Sequence, residues 1–164
     1  MVAKIVYLDT SSLVKRYLKE RGSAVMDRAY AEAERGNLIL AFSIWNIGEA
    51  HGVVDQRFTR GQITKEECDE TIEGMLAEST KMSLMNTLRI IPITVNVLVP
   101  SWDYILKHHM YISDALQISS AKEAQCDLFL SADSQLIGAA QREGVKTVDV
   151  ESDPQEAVES LTAT

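Results

Sequence analysis

Five short apolar runs, each closed by polar or turn-forming residues and separated by stretches of helical periodicity, constrain this chain more than any other feature. They are "AKIVYLD" (3–9), "NLILAFS" (37–43), "RIIPIT" (89–94), "DLFLSAD" (127–133) and "KTVDV" (146–150). Short runs of β-branched and aliphatic residues ended by polar turns read as buried strands. After the first, Leu13, Val14, Tyr17 and Leu18 recur at helical spacing. Helices are expected at about 23–35, 44–58, 64–86 with a break, 95–108, 114–125 and 134–144. Ser23 and Ser113 are candidate N-caps, Gly36 and Gly144 candidate stops, and "TKEE" (64–67) has the form of a capping box. Pro92 places the third strand at a sheet edge. Strands alternating with helices imply a mostly parallel sheet covered on both faces, a three-layer α/β/α domain with right-handed crossovers. In such sheets the functional crevice lies beyond the carboxyl ends of the strands.

The 164 residues suffice for one domain with a real core. Residues 1–150 are assigned to that domain and 151–164 to an acidic C-terminal helix or tail, read as solvated. No apolar run approaches the ~20 residues that cross a bilayer, and a signal-peptide layout is missing. Cys68 and Cys126 are single and far apart, as expected of reduced thiols in a cytoplasmic protein.

The net charge of −8 speaks against a nucleic-acid partner until its distribution is considered. Asp149, Glu151, Asp153, Glu156 and Glu159 crowd the last stretch, leaving 16 basic against 19 acidic residues in 1–148, a balance of −3. Lys15, Arg16, Lys19 and Arg21 cluster just after Asp9. Of these, Lys15, Arg16 and Lys19 are candidates to guide a phosphate backbone; solvated helix charges are the bland alternative.

Asp9 and Asp133 each close a strand, where an active crevice would open. Glu49 stands one and a half turns into the helix after the second strand, and Asp114 starts the helix before "DLFL". Each has an ordinary explanation: Asp9 and Asp133 as helix caps, Asp114 as a dipole partner, Glu49 as surface. Glu49 lies nearly opposite the stripe Ile44, Ile47, Val54 and Phe58, although Trp45, Gly52 and Val53 make its own side partly apolar. Together the four make a stronger case. Two carboxylates ~5 Å apart repel by about 3 kcal/mol at an effective dielectric near 20. A cleft of four needs protons or cations, and an all-oxygen set suits Mg²⁺ or Mn²⁺. Such ions favour hydrolysis of a phosphodiester.

The set "YLDTSSLVKRYLKE", Glu49 in "IWNIGEA", "ISDALQISSAKEAQCDLFLSAD" and "VKTVDV" resembles the PIN domain family, and within it the VapC-type ribonuclease toxins of toxin–antitoxin pairs. The resemblance spans residues 3–150. It implies that Asp9, Glu49, Asp114 and Asp133 are the catalytic, metal-holding quartet, with Thr10, Ser11 and Ser131 as supporting hydroxyls. It further implies Mg²⁺- or Mn²⁺-dependent cleavage of RNA, a homodimer, and an antitoxin that puts a basic side chain in the acidic pocket. Where many relatives carry a further acid after the last Asp, Ser134 and Gln135 stand here, which leaves one metal or two open. The 59–88 segment is also longer than in compact toxins.

A phosphatase forming an aspartyl phosphate on Asp9 is the second enzyme reading, though Ser11 stands where its second acid would be. A non-cutting scaffold that uses the same cleft is the third. His108 and His109 do not face one way on a helix and are read as surface residues. His51 has no evident partner. Trp45 and Trp102 are read as core, and no nucleophile elbow or phosphate-cradling Gly loop is present.

Overall fold

The computed structural model describes residues 3–162. Its strands are β1 (Lys4–Leu8), β2 (Leu38–Ser43), β3 (Leu88–Ile91), β4 (Leu128–Ser131) and β5 (Thr147–Asp149). They form one sheet in the order β3-β2-β1-β4-β5, with every pairing parallel. The helices are α1 (Thr10–Leu13), extended by a 3-10 turn over Val14–Arg16, then α2 (Ser23–Glu34), α3 (Ile44–Thr59), α4 (Lys65–Leu84), α5 (Val95–His108), α6 (Ile112–Glu123), α7 (Ser134–Arg142) and α8 (Pro154–Thr162). The expected α/β/α architecture is the one observed. Among the described residues no helix is long and apolar enough to cross a membrane.

Strand alternation divides the core into two layers. Val6 and Leu8 face a cluster built with α1 to α4 and α8, including Leu13, Met26, Tyr30, Val54, Met75 and Leu161. Ile5 and Tyr7 face a second cluster with Val97 of α5, Leu116 and Ile118 of α6, and Leu136 and Ala139 of α7. β1 is the central strand, with neighbours on both sides and both faces covered, so its carboxyl end is firmly anchored.

β3 is an edge strand, with Pro92 just past its end. α4 runs unbroken for 20 residues from the Thr64–Glu67 capping box, where a break was expected. The cap of α2 is Gly22 rather than Ser23, and α6 starts after Tyr111, with Ser113 inside its first turn. Trp45 and Trp102, expected in the core, are 42% and 53% exposed. The acidic tail is only half solvated: α8 buries Ala157 and Leu161 in the first cluster, while its acids face outward. Residues 163–164 of that segment lie outside the described residues.

Candidate active site

β1 and β4 are neighbours, with Leu8 paired to Leu130, so the residues that follow them emerge side by side. Asp9 caps α1 and accepts the Ser12 amide at 2.8 Å. Two hydroxyls also hold it: Ser11 Oγ lies 2.8 Å from Oδ2, and Ser131 Oγ donates to the same oxygen at 2.8 Å. Each hydroxyl accepts a backbone N–H from the turn after β4, Ser11 from Ala132 and Ser131 from Asp133. The small residues after β1 thus relay the pull of those amides to one carboxylate. Asp9 is 3% exposed, and burial pushes its carboxyl up despite the donors around it.

Asp133 caps α7, with Oδ1 accepting the amides of Gln135 and Leu136 at 2.9 and 3.1 Å. Glu49 comes from α3, which Ser43 and Asn46 start with a reciprocal capping box. Asn46 is fully buried and donates to Leu8 O at 2.9 Å, tying α3 to the end of β1. From there Glu49 Oε2 accepts Thr10 Oγ1 at 2.5 Å and Gln117 Nε2 at 2.9 Å. Asp114, half-buried in the first turn of α6, sits one turn before Gln117.

Asp114 reports how closely these acids gather. Its carboxyl is raised to about 6, first by burial and then by the negative charges of Asp133, Glu49 and Asp9. None of the four pairs with a cationic side chain of the described residues, the ion pairs lying elsewhere. A Mg²⁺-type ion fits this donor set: the oxygens are hard, the excess charge is negative, and the neighbouring carboxylates raise the cost of ionising Asp114. Among the described residues no three such side chains form a ready-made metal cage.

Thr10, Ser11 and Ser131 therefore all touch an acid of the cleft. Of the basic residues after Asp9, Lys15, Arg16 and Lys19 are all paired with acids. Lys15 is 3% exposed and bonded to Glu20 at 2.9 Å and to Glu151, so its charge is held inside the domain. Arg16 pairs with Glu78 at 2.7 Å and Asp27 at 2.9 Å, and stacks over Tyr30. Both are engaged by acids of the same fold. Lys19 pairs with Asp27 but keeps its side chain in solvent. His108 is not a surface residue either; its imidazole is buried against Glu143 at 2.6 Å, while His109 is exposed. Gln117 and Asn46 were missed. The signal for Gln117 was its place three residues after Asp114, on the same helical face.

An all-parallel sheet with an unpaired carboxylate cluster beyond β1 and β4 defines an α/β/α domain with an acidic cleft at its carboxyl edge. The chain belongs to the PIN domain family, whose model matches residues 6–141. No curated protein matches it in sequence. Solved structures share the fold. PAE2754 from Pyrobaculum aerophilum matches with a TM-score of 0.66 at 16% identity, covering 99% of this chain and 100% of its own. VapC20 of Mycobacterium tuberculosis, a Sarcin–Ricin loop cleaving toxin, matches at 0.59 and 13%, covering 82% and 94%. FitAcB from Neisseria gonorrhoeae matches at 0.54 and 16%, covering 88% and 97%.

Proposed function

We propose that the chain is a metal-dependent endoribonuclease, the toxin of a toxin–antitoxin pair, working in the cytoplasm with Mg²⁺ or Mn²⁺. The observation that carries this is the coupling of Asp114 to Asp133, Glu49 and Asp9, four carboxylates from distant segments with no paired cation among the described residues. Membership of the PIN family supports nuclease chemistry. RNA as substrate is supported by the resemblance to VapC toxins and by the likeness to VapC20, a Sarcin–Ricin loop cleaving toxin.

In this reading Asp9, Glu49, Asp114 and Asp133 would hold the ion. When bound, a divalent ion lowers the pKa of a coordinated water and offsets charge on the phosphoryl group. Ser11 and Ser131 keep Asp9 in one orientation, and Thr10 does the same for Glu49. Asp114 accepts no hydrogen bond from the described residues, so a cation would be the group that offsets its charge.

Partners follow from the same reading. Val95, Val99, Trp102 and Leu106 are exposed on α5 at the 4-3-4 spacing of a helix-pairing seam. Such a seam is self-complementary in a two-fold pair, which supports a homodimer. An uncompensated acidic pocket also suits the basic side chain of an antitoxin. The test is cleavage of structured RNA with Mg²⁺ or Mn²⁺ against EDTA, in wild type and Asp9→Asn. Cleavage that needs the ion and is abolished in a folded Asp9→Asn supports the reading. Metal uptake without cutting favours the scaffold, and full activity in Asp9→Asn removes Asp9 from the chemistry.

A further inference from the structure

Gln117 is 2% exposed and belongs to neither core layer, yet both ends of its amide are engaged. Its Nε2 donates to Glu49 Oε2 at 2.9 Å. Its Oε1 accepts the hydroxyl of Tyr7 at 3.0 Å. Tyr7 is fully buried on β1, two residues before Asp9, and its ring stacks on Phe129 at 5.3 Å. A hydrogen-bonded chain therefore runs from the middle of β1 through α6 to the carboxylate on α3.

The direction of that chain is fixed by chemistry. A carboxamide presents an acceptor at one end and donors at the other. Reversing it would set Gln117 Oε1 against the Glu49 carboxylate, acceptor against acceptor, and would leave the buried Tyr7 proton without its acceptor. The phenol and the carboxylate therefore demand the same amide orientation, and the amide, anchored by Tyr7, restrains one oxygen of Glu49. Thr10 Oγ1 donates to that same oxygen, while Oε1 accepts no hydrogen bond from the described residues and stays available to the cleft.

We propose that Gln117 is a positioning residue: oriented by Tyr7, it holds Glu49 Oε2 so that the other carboxylate oxygen presents to a divalent ion. The proposal rests on the nuclease reading and extends it to a residue outside the acidic quartet. Holding a ligand in place before the ion arrives reduces the ordering cost of binding, so the effect falls on metal affinity. Once the ion is bound, the ion itself orders Glu49.

The test is Mn²⁺ titration by calorimetry on wild type, Gln117→Leu, Tyr7→Phe, Glu49→Gln and the Glu49→Gln/Gln117→Leu double variant, with melting temperatures and cleavage measured in parallel. Gln117→Leu should weaken Mn²⁺ binding about tenfold, within the 10–100-fold cost of losing a residue that orients a metal ligand. Tyr7→Phe, which removes the anchor at Gln117 Oε1 and leaves Glu49 alone to orient the amide, should weaken it about threefold. In the Glu49→Gln background Gln117→Leu should change nothing further. At saturating Mn²⁺ the cleavage rate of Gln117→Leu should return to within about twofold of wild type, which a disrupted fold would not do.

Wild-type affinity in a folded Gln117→Leu overturns the proposal. So does an equal loss with and without Glu49, since that would mean Gln117 acts through packing. Should Gln117→Leu fail to fold, Tyr7→Phe decides alone, and wild-type affinity there refutes the orienting chain. Wild type that takes up no Mn²⁺ and cuts no RNA refutes the nuclease reading and the positioning role with it. Metal uptake altered by Gln117→Leu in a protein that cuts nothing would uphold the positioning role alone.

Discussion

Replacing Asp114 by Asn should make the metal-free protein more stable. The Asp114 carboxyl is raised from 3.8 to about 6 in the folded chain, by burial and by Asp133, Glu49 and Asp9. A folded state that binds the proton more tightly than the unfolded one loses stability when the proton leaves. The penalty is thus complete above pH ~7, shrinks as pH falls through 6, and is gone below ~4. The gap corresponds to about 3 kcal/mol at full weight. Because the side chain is half-buried, solvent screening reduces this to about 1–2 kcal/mol. For a chain of this length that is a rise in Tm of about 3–6 °C.

The amide introduced by Asp114→Asn keeps the shape of the carboxylate and sheds its charge. Thermal unfolding of both proteins in EDTA, at pH 8 and again at pH 4, should give the variant its advantage at pH 8 and almost none at pH 4. A variant equal to or less stable than wild type at pH 8 would refute the reasoning. Asp114 would then carry no net penalty from burial and the neighbouring acids, and the electrostatic case for the cleft would lose its support.

Four further outcomes concern positions outside the cleft. Lys15→Met leaves Glu20 and Glu151 facing each other without their shared cation and should cost about 2–3 kcal/mol, below the full buried-pair figure because both acids reach solvent. Denaturant unfolding should show partial recovery in Lys15→Met/Glu151→Gln, and a loss under about 0.5 kcal/mol would deny the clamp a role in stability. Gly22 has φ of +89°, and a Cβ there would meet Lys15 Cδ at 3.0 Å and Val150 O at 3.1 Å, so Gly22→Ala should lose about 2 kcal/mol. Gly36→Ala, at φ +77° with open space around it, should lose only about 1 kcal/mol; the same unfolding assay checks both. Trp102→Asp should turn a dimer into a monomer by light scattering without lowering the melting temperature of the monomer, whereas a wild-type monomer at high concentration would remove the α5 seam as an interface.

The sheet was legible because its signals are local. Runs such as "IVYL" and "LFLS" need no partner to be read as buried strands, and their alternation with helices leaves few topologies. The acids at strand ends were legible for the same reason: position along a strand predicts position in the crevice. What a single chain hides is pairing. Lys15 and Arg16 follow Asp9 closely and look like a basic rim, but their partners Glu151 and Glu78 are remote in sequence. Trp45 and Trp102 read as inward because apolar bulk usually is, and only the fold shows that their sides of α3 and α5 face out. Gln117 escaped notice because an amide carries no motif; its role lies in what Tyr7 and Glu49 bring to it.

The cleft's instability and its use are two sides of one linkage. The part of the penalty of about 1–2 kcal/mol at Asp114 that comes from repulsion, which adds to the larger effect of burial, is relieved when a divalent ion neutralises the site, and an ion that binds only the folded state at 100 times its Kd adds about 2.7 kcal/mol. Asp114→Asn sheds the repulsion but also surrenders a ligand, so it gains in EDTA and gains less from metal. The order of stabilities should therefore invert: variant above wild type in EDTA, wild type above variant in saturating Mn²⁺. Four acids that were merely surface residues or helix caps would show no inversion, because nothing would connect their mutual repulsion to the binding of a cation.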